Sequence, residues 1–481
     1  MNVADRRRPL AGFVLVAALA LFIGTRAAAR DYYVDAQGGD DANSGIAASA
    51  AWRSIERVNR HHFHPGDVIR LRCGRLWRAT LAPGRGGTPG EPVIFTAYGA
   101  GPAPVISGSD LVTGWTLVGG AVYGASLAAE AHNVLVDGGP PWGLRHASGA
   151  RALERGSWYW DRAARELLVW LPDSSSPADH TIEAATRLYG FAVNSGRCDR
   201  LSFITVEHLR FERTGGYGIY FHCYRGPAVM RGIVVRDNVV TQTGTGRLDG
   251  GQYFNGIFYL QEPPYSEGAP VIADNTVSYT GGHGNGINCQ GANHAVIRGN
   301  DVSHWNHNGI DVKTAAGVLV ERNIAHDEPK IGAGFYAEYS TVTWRDNIAH
   351  HTANGFQIAD RSTGLLYDND LYASPTGFFV GPRNAAVTLV RNAVSRVRVA
   401  VESDGRGKLA SRTNLWGAAP MFRLGDAGYD FARWMALPDR TDDVAADPMW
   451  ADPAGGDFRP LPGSPCLQLK ACATPWPAPQ Q

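Results

Sequence analysis

The chain has 481 residues, equal numbers of basic and acidic side chains (45 each), and 19% charged against 44% hydrophobic residues. This balance excludes a global field that gathers nucleic acid or a strongly acidic surface, and the composition is too apolar for a disordered chain. With 58 Gly and 28 Pro, the expectation is a turn-rich folded protein whose ligand contacts are local.

The N-terminus reads as an export signal spanning residues 1–29. Arg6, Arg7 and Arg8 supply the charged part, Leu10 to Gly24 the apolar part, and Ala27, Ala28 and Ala29 the small residues before a cleavage site. The apolar run is shorter than the roughly 20 residues a membrane span needs. Hence a secreted or periplasmic bacterial protein is expected, with no membrane contact after cleavage. Six cysteines in an exported chain can pair; Cys466 and Cys472 are the nearest in sequence, whereas Cys289 falls at an inward strand position.

Residues 30–110 read as an opening cap and first coils. Tyr32 to Asp35 is a strand, Trp52 to Arg60 a short amphipathic helix, and Pro65-Gly66-Asp67 a turn into the strand Val68 to Leu71. Residues 111–185 break the pattern. There, Gly156 to Asp161 and Glu166 to Pro172 alternate like the two arms of a hairpin, predicting an inserted β-sandwich-like subdomain. Trp142, Trp158, Tyr159 and Trp160 in this insert could stack on sugar rings or fill its core.

From residue 186 to 445 the chain repeats. Asn follows a β-rich run at Asn238, Asn275, Asn300, Asn323, Asn347, Asn369 and Asn392, with gaps of 37, 25, 23, 24, 22 and 23. Phase-locked with it, Gly precedes an apolar residue at Gly218, Gly256, Gly286, Gly309, Gly334, Gly355 and Gly377. Strands of four or five residues cannot bury a face alone, so units with this period must stack. The predicted fold is all-β: a right-handed parallel β-helix with a small inserted β-rich subdomain. The asparagines are expected at one turn of each coil, in the left-handed region, bonding along the stack. Residues 446–481 would close the solenoid.

At this point a resemblance becomes specific. YYVDAQGGDDANSG, then AW, a short helix and HPGDVIRL resemble the N-terminal cap of pectate-lyase-like β-helix proteins, and ADPMWADPAGGDFRPLPGSPC resembles their closing segment. The insert resembles the β-sandwich insertion of several β-helix glycosidases. The resemblance implies a carbohydrate-active secreted protein, and specifies fold better than reaction.

Aligning coils on the repeated Gly sets NGINCQ (285–290), NGIDVK (308–313), AGFYAE (333–338) and NGFQIA (354–359) side by side. Alternation then points Ile287, Ile310, Phe335 and Phe356 inward. Asn288, Asp311, Tyr336 and Gln357 form one outward column; Gln290, Lys313, Glu338 and Ala359 form the next. Tyr220, Phe258 and Phe379 hold the first column in flanking coils. The turns add His283, His304, His307, Asn308, Glu328, Lys330, His350 and His351, and later positions add Asp360, Arg361 and Arg383. Seven of fifteen His lie between residues 280 and 355. With coils about 4.8 Å apart, these groups are expected to line one groove of polysaccharide width.

Two mechanisms fit that wall. Asp311 and Glu338 could be the acid and the nucleophile or base of a glycoside hydrolase. Alternatively Lys313 could be the base of a polysaccharide lyase, with calcium or an arginine acidifying a uronate. Expected substrate contacts are His283, Asn288, Gln290, His307, Asn308, Tyr336, Gln357, Asp360, Arg361 and Arg383. No metal ligand set is assigned, and calcium enters only with the lyase. A third reading is a non-catalytic glycan-binding or adhesin β-helix. The expected partner is a polysaccharide or oligosaccharide, bound by a monomer.

Overall fold

The computed structural model describes residues 28–139, 143–196, 198–224, 229–244, 254–262, 268–381 and 385–472. The export signal, except its last two residues, lies outside them, as do Trp142 and Arg383. No helix among the described residues is long and apolar enough to cross a membrane.

Three parallel ladders wind around one core. The first is a 13-stranded sheet from Asp31–Val34 to Arg440–Thr441. The second runs through Arg210–Thr214, Val239–Thr243, Thr276–Thr280 and Asp301–Trp305. The third runs through Tyr217–Cys223, Ile257–Gln261, Ile287–Gln290 and Ile310–Lys313. In the next two coils the second and third ladders fuse, because Ile324–Glu338 and Ile348–Ile358 each turn the corner as one unbroken strand. The protein is thus a right-handed parallel β-helix, capped at its start by the helix Ile55–Arg60, whose Ile55 and Val58 enter the core.

The repeats explain the register. Gly309 must be glycine because a Cβ there would lie 2.5 Å from the Gly334 carbonyl oxygen of the next coil. Behind it, Ile287, Ile310, Phe335 and Phe356 are fully buried, and Phe335, Phe356 and Phe378 stack at 4.7 and 5.3 Å. Each such ring contributes roughly 1.5–3 kcal/mol by leaving water.

The asparagines form a continuous buried ladder. Each Nδ2 donates to the next Oδ1 at 2.9 to 3.0 Å from Asn238 to Asn392. Asn414 extends the series, and Asp443 ends it. One expectation is corrected: the left-handed residue is the one before the Asn, as at Asp237, Asp274, Arg322, Asp346, Asp368 and Arg391. That twist aims the following Asn side chain inward, where its amide also bonds two backbone carbonyls.

Between residues 109 and 185 the chain leaves the solenoid. Five strands within residues 116–170 form one mostly antiparallel sheet, and Ser109–Val112, Asn133–Val136 and Ile182–Ala185 form a second. They share a separate core with Trp158 at its centre. Trp158 is fully buried and donates to the Leu144 carbonyl, so it is a core residue and not a sugar platform. The solenoid is further tied by Cys198–Cys223, which spacing did not suggest, while Cys466–Cys472 pair as expected. Cys289 is free and buried.

Candidate active site

Ladder pairing places the predicted wall as two columns. Phe258, Asn288, Asp311, Tyr336, Gln357 and Phe379 follow one another across successive coils, and so do Leu260, Gln290, Lys313 and Glu338.

Asp311 faces outward by register yet is fully buried, because its neighbours cover it. Its Oδ2 lies 3.4 Å from Lys313 Nζ and accepts from Asn308 Nδ2 at 3.4 Å and Asn288 Nδ2 at 3.5 Å. Its Oδ1 has no hydrogen-bond partner among the described residues. Burial penalises the carboxylate more than the Lys313 charge and the Asn308 bond favour it, and Glu338 adds repulsion, so the acid is pushed up to about 6. A buried carboxyl that holds a proton near neutrality and leaves one oxygen unpaired is equipped to exchange that proton with a ligand.

Lys313 also lies 3.8 Å from Glu338 Oε2, and its ammonium stands 5.5 Å from the Tyr336 ring centre. One cation therefore bridges two carboxylates, one buried and one a quarter exposed. Tyr336 is half-buried and its phenol is raised, first by burial and then by Glu338, Asp311 and Asp360. This places Asp360 within electrostatic reach of the wall. Its side chain also accepts from Tyr339 Oη at 3.4 Å. A calcium ion does not fit between the two carboxylates, since Lys313 already occupies the cationic position there.

The remaining expectations divide. His307 belongs to the site: half-buried, its Nδ1 lies 3.0 Å from Asn285 Oδ1 and 2.9 Å from Asn308 Nδ2. Burial, then the Lys313 charge, lowers it to about 4, so the ring is neutral. His283 is exposed beside it and contributes to the same lowering. Gln290 and Gln357 are half-buried at their column positions, and Arg361 is exposed in the turn beyond the strand. Asn288 and Asn308 are buried. Asn308 in addition receives the backbone N–H of Ala333, within a second Asn ladder with Asn255 and Asn285. Asn308 thus donates to Asp311 from the preceding turn.

The single histidine-rich groove is also corrected. His304, His326, His350 and His351 belong to the second ladder, across the corner from Asp311. There His350 packs against Phe458 of the closing segment. His294 lies in the turn before Val296–Arg298. Glu328 pairs with Thr352 on the approach to the corner, and Trp305 is wholly core.

Sequence reading missed the extent of an aromatic cluster in the preceding coils, with Tyr220 and Phe258 buried and Tyr189 and Tyr217 half-buried. Tyr220 and Phe258 stack at 5.4 Å, and Tyr217 packs on both, with Tyr189 at 5.7 Å from Tyr217. Tyr220 Oη meets His222 Nδ1 at 2.8 Å, and His222 Nε2 meets Glu262 Oε1 at 3.1 Å. The signal was present, since GIYFHC and GIFYLQ align with GINCQ on the same Gly. Phe258 directly precedes Asn288, so the aromatic cluster abuts the carboxylate wall.

A family model described as right handed beta helix region matches residues 265–414. No curated protein matches the chain. Among solved structures, XylC in complex with xylose superposes with a TM-score of 0.60 at 12% identity, covering 88% of this chain and 87% of that one. A pectate lyase, Pel9A, gives 0.46 at 11% identity, covering 81% and 80%. The lacto-N-biosidase of glycoside hydrolase family 136 from Eubacterium ramulus gives 0.40 at 13% identity, covering 87% and 67%. At these identities the first establishes the shared fold.

Proposed function

Starting from a right-handed parallel β-helix whose third ladder presents a carboxylate pair beside an aromatic cluster, we propose that this chain is a carbohydrate-active enzyme, and specifically a glycoside hydrolase. The observation that carries the reading is Asp311: a fully buried carboxyl, raised to about 6, with Oδ1 unpartnered and Glu338 one coil away. In this reading Asp311 protonates the leaving glycosidic oxygen. Glu338, less buried and 3.8 Å from Lys313, attacks the anomeric carbon or activates water. Lys313 holds both carboxylates, and the half-buried rings of Tyr189 and Tyr217, packed on buried Tyr220 and Phe258, border the wall where neighbouring sugar units would lie. The xylose complex of a protein with the same fold is in keeping with a sugar ligand. Export, expected from the N-terminus, would bring such an enzyme to its polymer.

Elimination is the rival chemistry. It would use Lys313 as the base, and Lys313 is instead engaged by Asp311 and Glu338 at 3.4 and 3.8 Å. Incubation of the purified protein with a polysaccharide panel, reading product mass and ultraviolet absorbance together, tests the assignment. Hydrolysis gives products heavier by one water and no new absorbance. An unsaturated product would transfer the site to the lyase reading, and saturable glycan binding with no product at all would leave a binding module.

A further inference from the structure

Across the corner from the carboxylate wall, a second group of side chains has no part in the proposed hydrolysis. The second ladder places a left-handed residue at the same point of successive coils: His304, Asp327 and His351 have φ of 53°, 59° and 53°. In a regular strand, adjacent side chains point to opposite faces. At His351 the left-handed turn swings the backbone, so that the rings of His350 and His351 meet with their Nδ1 atoms 3.0 Å apart. Asp327 stands one coil earlier in the same corner, with Oδ1 3.8 Å from His351 Nδ1.

We propose that Asp327, His350 and His351 form a binding site for a divalent first-row cation, with Zn²⁺ the best fit. Among the described residues these three offer donor atoms that all lie within 4.8 Å of one another. Tetrahedral zinc, with bonds of about 2.0–2.1 Å, requires ligand atoms roughly 3.3 Å apart, which is bracketed by the two separations above. Two imidazoles and one carboxylate, with a fourth position left to water, make a borderline donor set suited to zinc rather than to calcium or magnesium.

The surroundings resemble the outer shell of such a site. His326 lies 2.9 Å from Asp327 Oδ2 through Nδ1 and 2.8 Å from Asp301 Oδ1 through Nε2. It thereby fixes the carboxylate so that Oδ1 faces the two histidines. The site is open on one side, because the Asp327 and His351 side chains are 47% and 35% exposed. It is backed on the other by His350 against Phe458 of the closing segment. A bound cation would therefore clamp two coils at the place where the C-terminal segment docks.

The test uses untagged full-length protein stripped with a chelator and titrated with Zn²⁺ alone against a chromophoric competitor, with thermal unfolding read in parallel. One equivalent is expected to bind and to raise Tm by mass action. His351→Ala and Asp327→Asn, at a half-buried and an exposed position, should each weaken binding by roughly 100-fold, and His326→Ala by about 10-fold, in proteins whose thermal unfolding without metal stays cooperative. Substitution with Co²⁺ should give the visible absorption of a four-coordinate nitrogen and oxygen site. The proposal is overturned if the wild type shows no saturable binding, or if the His351→Ala and Asp327→Asn proteins bind Zn²⁺ as tightly as it does.

Discussion

Two polar columns run along the same solenoid and spend their hydrogen-bonding capacity differently. In the asparagine ladder from Asn238 to Asn414, each buried amide donates along the stack and to backbone carbonyls, and each Oδ1 accepts from the preceding Asn or, at Asn238, from the Leu209 N–H. In the column through Asn288, Asp311 and Tyr336, two buried oxygens, Asn288 Oδ1 and Asp311 Oδ1, have no hydrogen-bond partner among the described residues. Each such atom costs about 1–3 kcal/mol of lost solvation, and here two of them lie side by side in adjacent coils of one column. The difference separates a column that holds the coils together from one that keeps capacity in reserve for a ligand.

The sharpest way to break this comparison is to remove that capacity without changing shape. Asp311→Asn and Glu338→Gln are each expected to lower kcat by roughly 10²–10⁴-fold while KM changes little. Steady-state kinetics on the hydrolysed substrate checks this, with circular dichroism as the control for folding. Retention of full turnover by either variant would return the column to a structural role.

The opposite result is expected in the ladder. Asn347→Ala strips two Nδ2 bonds and an acceptor from a dry corner, leaving the Asn323 and Asn369 amides and the Val320 carbonyl short of partners. Urea unfolding should show a loss of roughly 3 kcal/mol. Turnover per folded molecule should stay within twofold of wild type.

A third contrast lies in pH. Asp311 is raised in the folded state, to about 6 from an ordinary value of 3.8. Its protonated form therefore stabilises the fold below pH 4, and that contribution fades as pH rises through 6. Asp311→Asn removes the titration, so above pH 7 the variant should exceed wild type by on the order of 2–3 kcal/mol. As a general acid, Asp311 also gives kcat a limb that falls above about pH 6. Chemical denaturation and rate profiles at pH 4, 6 and 8 measure both effects, and an Asp311→Asn protein with unchanged pH dependence of stability would contradict them.

The columns were legible in the sequence because stacking has few free parameters. Once Gly286, Gly309, Gly334 and Gly355 are aligned, alternation alone decides that Ile310 enters the core and Asp311 does not. What spacing does not encode is the corner. His350 and Asn354 are four residues apart in one unbroken strand, yet they pair in different ladders, because the left-handed turn at His351 intervenes. A non-glycine residue gives little sign that it will adopt that conformation, so the histidines on both sides of the bend read as one groove. The burial of Asp311 was hidden for a related reason. Alternation gives the face of a residue, while the cover over it comes from Asn288 and Lys313 on the same wall and from Asn308 in the preceding turn. The Cys198–Cys223 pair was equally invisible, since it depends on where a short 3-10 turn meets the end of a strand.

The smallest expected effect concerns the aromatic cluster, and it refines the comparison instead of challenging it. Phe258 is buried between Tyr220 and Tyr217 on one side and adjoins Asn288 on the other, so it has both a structural and a ligand-facing aspect. If its ring helps to hold a sugar unit beside Asp311, Phe258→Ala should raise KM by roughly 3- to 10-fold, the equivalent of about 0.5–1.5 kcal/mol of stacking, with kcat nearly unchanged. Phe258→Leu, which keeps much of the volume but not the flat face, separates the two aspects. Restored stability together with a still-raised KM assigns the ring to substrate, whereas recovery of both assigns it to packing. Chain length of the substrate gives a second reading of the same variant. A product too short to reach from Asp311 to Phe258, two coils or about 9.6 Å away, should bind Phe258→Ala and wild type alike.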